Sequence, residues 1–322
     1  MILVTGAAGF IGSNMVASLN KQGYNKIIIC DWLDHKSKKK NIQKLNYEEI
    51  ISPENLITYL NHKNNIDIII HMGANSSTTE SNFRLMYNIN TRFSRNIWKW
   101  CTKNKVRLIY ASSAATYGDG TRGFNDSETE KYKPLNVYGL SKYLFDRYVI
   151  KQAKKHICPP QWVGIKFFNV YGPNEYHKGK MQSVVKHALD QYKESGKVKL
   201  FKSYNNKYSD GEQTRDFIYV DDCITLINWL LENKNISGLF NCGTSIERSF
   251  DDLVKAMFKA INVAPCIEYI DMPNNIKNQY QYFTKANMNK IKNRGYNIQS
   301  TSLEEGVYDY VTNYLLSDDK YK

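Results

Sequence analysis

Through its first half the chain alternates short unbroken apolar runs with longer stretches whose apolar residues recur at helical spacing. Ile2-Leu3-Val4-Thr5, Lys26 to Asp31, Asp67 to His71, Val106 to Tyr110 and Gln161 to Phe168 are runs of the first kind, and Gly12 to Gln22 is of the second. A half-exposed strand would alternate apolar and polar residues. Unbroken runs separated by helices predict a parallel sheet covered on both faces. The fold class is therefore α/β, a doubly wound, Rossmann-like parallel sheet, built over residues 1–168. After Asn169 the pattern loosens and Pro, Gly and Asn become frequent, which predicts a smaller α/β substrate-binding domain over 169–322. Arg215 to Val220 and the amphipathic stretch after it predict that the chain rejoins the first domain at about 215–240.

Composition narrows the function classes. The 322 residues, 42% hydrophobic and 23% charged, allow a sizeable core. No apolar run approaches the roughly 18–20 residues that span a bilayer, so no membrane partner is expected. Met1 leads straight into a strand, with no secretory pattern. The six cysteines are scattered without a CxxC pair, which argues against a disulfide framework or a metal site and predicts the cytoplasm. The net charge is +13, but lysine is spread along the chain rather than gathered on one recognition element, so no nucleic-acid partner is expected. A positive field suits an anionic nucleotide.

Gly6-Ala7-Ala8-Gly9-Phe10-Ile11-Gly12 follows a strand and opens a helix. In that context Gly6 permits the tight turn, Gly9 lets the backbone approach a pyrophosphate and Gly12 allows close helix–strand packing. The helix N-terminus offers unpaired N–H groups to the phosphates. Asp31, at the end of the second strand, is placed to bond the adenosine ribose, which favours NAD. Lys36, Lys38, Lys39 and Lys40 follow closely and suit a 2′-phosphate, which favours NADP. These residues leave the two cofactors open.

Tyr138-Gly139-Leu140-Ser141-Lys142 places a tyrosine and a lysine on one helix face. A free phenol, with a pKa near ~10, is a poor base at neutral pH. A neighbouring ammonium stabilises the phenolate. Tyr138 can then take a hydroxyl proton while hydride leaves for a nicotinamide. Tyr110 to Gly118 lies just past a strand end, where ligands bind in doubly wound sheets, and offers the Ser113 hydroxyl to a sugar.

With Ser76-Ser77-Thr78-Thr79-Glu80, Pro134 to Gly139, Phe168 to Pro173 followed by Asn174 to Gly179, and Arg215-Asp216-Phe217, nearly the whole chain resembles the ADP-L-glycero-D-manno-heptose 6-epimerases, extended short-chain dehydrogenase/reductases. The resemblance implies an isomerase that inverts C6″ of ADP-heptose through a bound NADP, supplying heptose for lipopolysaccharide. It adds Phe10, Ile11, Trp32, Lys38, Met72, Gly73, Ala74, Asn75, Ser76, Asn90, Lys142 and Val170 to the cofactor contacts. It makes Tyr138 and Lys178 the two acid/base groups, with Ser113 as hydroxyl partner. It assigns Ser77, Asn169, Lys180, His187, Phe201, Lys202, Ser203, Tyr204, Arg215 and Tyr280 to the substrate, and implies a homo-oligomer, a pentamer. Two positions depart from the pattern: Pro53 stands where the family has a cofactor-side lysine, and Lys180 where it has a small polar residue. The alternatives are an epimerase of another nucleotide sugar, of UDP-hexose type, and a nucleotide-sugar dehydratase. Relatives of the latter kind carry an Asp-Glu pair where this chain has Ala114 and Ala115.

Overall fold

The computed structural model describes residues 1–63, 65–128, 131–273, 277 and 280–322. Its strands, in chain order, are β1 (Ile2–Thr5), β2 (Ile27–Cys30), β3 (Glu49–Ile51), β4 (Ile68–His71), β5 (Arg107–Ser113), β6 (Trp162–Phe167), β7 (Asn169–Tyr171), β8 (Val198–Phe201), β9 (Thr214–Arg215), β10 (Phe217–Tyr219), β11 (Gly238–Cys242), β12 (Arg248–Ser249) and β13 (Ile267–Ile270). Seven of them form one parallel sheet in the order β11-β6-β5-β4-β1-β2-β3. The unbroken apolar runs are explained by its two covered faces. Ile2, Val4, Ile27, Ile29, Ile68 and Ile70 enter the core on one side. Leu3, Ile28, Cys30 and Ile69, the residues between them, enter the core on the other.

Succession reverses at β1, which has β2 on one side and β4 on the other. Ligands of doubly wound sheets bind outside the carboxyl ends of strands at such a switch point. Here that crevice lies between the turn after β1 and the segment after β4.

The first return of the chain is more gradual than the sequence suggests. β10 pairs with β7, in register Phe217↔Asn169, in a ladder separate from the main sheet. The helix Val220–Glu232 then packs on the helix Phe10–Lys21, with Asn228 Nδ2 donating to Ser18 Oγ at 2.9 Å. Among the described residues after β10, only β11 rejoins the main sheet, beside β6. The remaining ladders, β8 with β13 and β9 with β12, sit with the helices Val184–Ser195 and Phe250–Ala260 around a second core of Val185, Leu189, Leu253, Met257 and Val307. Phe10, from the first turn of the leading helix, belongs to that second core. No helix among the described residues is long and apolar enough to cross a membrane.

Candidate active site

The glycine turn is built as its spacing predicts. Gly6 has φ +66°, and a Cβ there would lie 2.5 Å from the amide nitrogen of Gly73. A Cβ at Gly12 would lie 2.0 Å from the carbonyl oxygen of Gly6. No side chain fits at either place, so turn, helix and the segment after β4 close on one another. The helix Phe10–Lys21 has no side-chain cap and no acid in its first turn. Its N-terminal N–H groups thus meet no side-chain cap, and its positive end no acid, as a pyrophosphate site requires. The chain therefore provides the cradle that a dinucleotide fits.

A cleft of about 630 Å³ opens from this turn. Gly6, Gly9, Phe10, Ile11, Gly12, Asp31, Trp32, Lys38, Met72, Gly73, Ala74, Asn75, Ser76, Lys142 and Val170 all line it, as do Ser77, Ser113, Tyr138 and Lys178. The expected cofactor residues are thus brought together, with one exception. Asn90 is fully buried behind the wall: its Oδ1 accepts from Asn75 N at 2.9 Å, and its Nδ2 donates to Asn75 O at 2.9 Å and Ser141 Oγ at 3.0 Å. It shapes the Asn75 segment rather than facing the cleft.

At one end of the cleft Asp31 is buried, and both of its carboxylate oxygens are engaged. Ala8 N donates to one at 2.9 Å, and the Lys38 ammonium to the other at 3.2 Å. Burial pushes the Asp31 carboxyl upward, opposed by Lys38. Lys38 also reaches Asp34 at 3.1 Å and the Trp32 carbonyl at 3.1 Å. Pro53 and Glu54 complete this wall, with Trp32 Nε1 donating to the Glu54 carboxylate.

At the other end stand the groups that can move protons. Asn136 caps the helix Val137–Ala153 through Gly139 N at 2.8 Å, which fixes the first turn carrying Tyr138. Ser113 ends β5 and lines the cleft with Tyr138, its hydroxyl accepting from Ala115 N at 3.1 Å. Burial raises the phenol's pKa, and the Ser113 hydroxyl opposes the rise. The Lys142 ammonium donates to the Ala111 carbonyl at 2.8 Å, and burial pushes its pKa down to about 8, against the pull of Asp146. Lys178 lies in the short helical turn Tyr176–Met181, its ammonium 5.2 Å from the centre of the Phe10 ring. Burial pushes its pKa down too.

Most of the substrate residues taken from the resemblance lie after residue 168 in the chain and outside this cleft. Ser77 and Ser113 line the cleft itself; Asn169, Lys180, His187, Phe201, Lys202, Ser203, Tyr204, Arg215 and Tyr280 are not part of its wall. Asn169 is exposed beside Val170 at the start of β7, and Lys180 is exposed. His187 is half-buried in the first turn of Val184–Ser195. Lys202 and Tyr204 both reach Asp271, at 3.5 and 2.7 Å, and Ser203 N donates to Asp210 at 2.7 Å. Arg215 is buried between two rings, 5.4 Å from the centre of Phe250 and 5.3 Å from that of Tyr280. Its NH1 donates to the Thr214 carbonyl at 2.8 Å, and no carboxylate pairs with it among the described residues. A planar cation held in that way suits a diphosphate.

A buried layer not anticipated from the sequence lies beneath Ser113 and Tyr138. Asp146 and Lys166, both fully buried, pair at 2.7 Å. Tyr110 OH and Ser112 Oγ donate to the same carboxylate at 3.0 and 2.7 Å. Lys166 also donates to Thr116 Oγ1 at 2.7 Å, and that hydroxyl donates to the Ser113 carbonyl at 2.8 Å. The network fixes the Ser113 strand end against the Tyr138 helix. Asp146 lies four residues after Lys142, so the same helical spacing pointed to it. His177 was also missed: it lines the cleft, and burial pushes its pKa down to about 4.

Known proteins resemble the chain along its whole length. The sequence profile of the NAD dependent epimerase/dehydratase family matches residues 2–243. The ADP-L-glycero-D-manno-heptose-6-epimerase of Fusobacterium nucleatum is 46% identical, with 100% of both chains covered. That of Nitratidesulfovibrio vulgaris Hildenborough is 44% identical, with 99% of each covered. The crystal structure of the Helicobacter pylori ADP-L-glycero-D-manno-heptose-6-epimerase superposes with a TM-score of 0.80 at 28% identity, over 97% of this chain and 95% of that one.

Proposed function

The chain belongs to the NAD dependent epimerase/dehydratase family, among the ADP-L-glycero-D-manno-heptose-6-epimerases, and we propose that it inverts C6″ of ADP-D-glycero-D-manno-heptose to the L-glycero form. The observation that carries this reading is a single cleft that receives two proton-transfer groups from separate elements. Tyr138 comes from the helix after the Ser113 strand, and Lys178 from the turn beyond β7.

A nicotinamide bound in the cleft supplies the hydride acceptor and, later in the same turnover, the donor. The chain's residues do the rest. Ser113 holds the C6″ hydroxyl against Tyr138. One of Tyr138 and Lys178 takes the hydroxyl proton as hydride leaves C6″. The planar ketone turns its other face, and the second group protonates the oxygen as hydride returns. Lys142 fixes the nicotinamide ribose and keeps positive charge beside the phenol. Arg215, between its two aromatic rings, holds the diphosphate, while His187 and Phe201 to Tyr204 border the nucleotide and sugar. A dehydratase needs a further acid beside Ser113, and Ala114 and Ala115 occupy that turn.

For the cofactor, the family establishes a nicotinamide dinucleotide. NADP is the proposed form, with Lys38 on the cleft wall as the 2′-phosphate partner. NAD is the second reading, favoured by the acids that already hold Lys38 and by Pro53 and Glu54 beside it. The same proposal includes a cytoplasmic homo-oligomer, a pentamer, that supplies heptose for lipopolysaccharide.

Lys178→Met tests the two-group mechanism. It should abolish epimerisation, yet leave the dinucleotide bound and leave intact the dismutation of an analogue carrying a C6″ aldehyde, which Tyr138 can serve. Lys142→Met should impair both reactions and loosen the dinucleotide. Intact epimerisation in Lys178→Met would remove Lys178 from the mechanism.

A further inference from the structure

Three residues before Lys178 lies a carboxylate that the mechanism above does not use. Glu175 is fully buried. Ser183 donates to it twice, from its backbone N–H at 2.5 Å and its hydroxyl at 2.6 Å, and Tyr310 OH donates at 2.9 Å. Ser183 caps the helix Val184–Ser195, whose first turn carries His187. Tyr310 opens the helical segment Tyr310–Leu315, 135 residues away in the chain. Glu175 also closes the turn that bears the lysine, since Lys178 N donates to the Glu175 carbonyl at 3.0 Å. A buried carboxyl placed only to fill space would be replaced by an apolar side chain at no cost. In one that collects three donors at a helix N-terminus, those donors and the nearby Lys178 favour the anion against burial, which pushes the Glu175 carboxyl upward.

We infer that Glu175 is the positioning residue of the second proton-transfer group. It anchors the Lys178 turn to the His187 helix and the Tyr310 segment, and provides the buried negative charge against which the Lys178 ammonium gains and loses its proton. The inference rests on the two-group reading above.

The other charged and titratable groups around Lys178 do not offer that charge. Its own turn contributes the Tyr176 phenol, His177 and the exposed Lys180. The helix Lys36–Ile42, packed on the turn, contributes Lys38, with His35 just before it. The helix Phe10–Lys21 presents the Phe10 ring and no first-turn acid. The helix Val184–Ser195 contributes Lys186 and His187, and the Tyr310–Leu315 segment a phenol. Across the cleft stand Tyr138, Lys142, Asp31 and Glu54, the two acids already bonded to Lys38 and to Trp32. Burial disfavours the Lys178 ammonium, and Glu175 is the charge that opposes it.

Glu175→Gln removes the charge and keeps the shape. Its amide oxygen can take the Ser183 N–H while its NH₂ donates to the two hydroxyls, which rotate to accept. The test is the pH dependence of kcat for the holoenzyme, run from each ADP-heptose epimer. Without Glu175 the ammonium is less stable, so Lys178 titrates lower. In the direction where Lys178 takes the proton, the acid limb should move down by about one pH unit. In the direction where it gives the proton, the alkaline limb should move down by a similar amount. Glu175→Asp keeps the charge but withdraws it from Ser183. Its limbs should stay in place while kcat falls by about tenfold, the size of a modest loss of positioning. Unmoved limbs in Glu175→Gln, with Lys178→Met inactive, would overturn the role of Glu175 and leave the two-group mechanism standing. Active Lys178→Met would overturn both.

Discussion

The Lys38 ammonium lies 3.2 Å from the Asp31 carboxylate and 3.1 Å from that of Asp34, so the lysine proposed to hold a 2′-phosphate already stands between two acids. A phosphate must draw it away from Asp34, which is exposed and yields cheaply. Asp31 is buried and keeps its bond to Ala8 N in either case. The proposal expects NADP as the dinucleotide released when the purified protein is denatured. Lys38→Ala should then weaken NADP binding by about tenfold or more, the scale of a charge-assisted contact, and leave NAD binding nearly unchanged. Recovery of NAD alone, with Lys38→Ala indifferent to the 2′-phosphate, would decide for the second reading.

Tyr138→Phe keeps the ring and removes the hydroxyl that lines the cleft with Ser113. The fold and dinucleotide binding should survive, because the phenol oxygen supports neither the glycine turn nor the buried Asp146–Lys166 pair. Epimerisation should fall by about 10²–10⁴-fold, the range for losing a general acid–base group. Turnover within a few-fold of the native protein would remove Tyr138 from the proton path.

Lys142 gives the pH dependence a sign. Burial holds its ammonium at about 8, below the ordinary 10.5, so its charge is complete well below pH 8 and is lost as pH rises through that value. Activity that depends on the charge should decline above about pH 8 in both reaction directions. Stability should respond the opposite way. The unfolded chain binds this proton more tightly than the folded one, so the cost of burying the ammonium is relieved between pH 8 and 10.5. Rate profiles beside thermal melts over that range would separate the two. A rate that held level past pH 9 would show that the charge on Lys142 is not required.

The parallel sheet was legible because buried strands leave unbroken apolar runs, and the structure places their alternate residues in two different cores. The edge strands were not. Glu49 and Ile50 of β3 are exposed, and β11 buries Asn241, so neither carries the apolar signature. In the site, local spacing was enough to find Gly6, Gly9 and Gly12, and Tyr138 with Lys142, since each set is fixed by one turn of backbone. Arg215 and Tyr280 came only from resemblance, because a cation held between rings leaves no periodic trace. Asn90 was assigned to the cofactor wall but stands behind it, a distinction that depends on which way a buried amide faces. Glu175 was out of reach: its partners Ser183 and Tyr310 meet it only after the chain has folded.

In the proposed mechanism C6″ is inverted by removal and return of one hydride, with the chain's residues moving only the hydroxyl proton. The most direct test is incubation of the holoenzyme with ADP-D-glycero-D-manno-heptose in D₂O, followed by proton NMR at C6″. The expected product is a mixture of the two C6″ epimers, each with its original hydrogen at C6″, because a hydride held in the cleft does not exchange with solvent. Unchanged substrate, or epimers carrying deuterium at C6″, would contradict it.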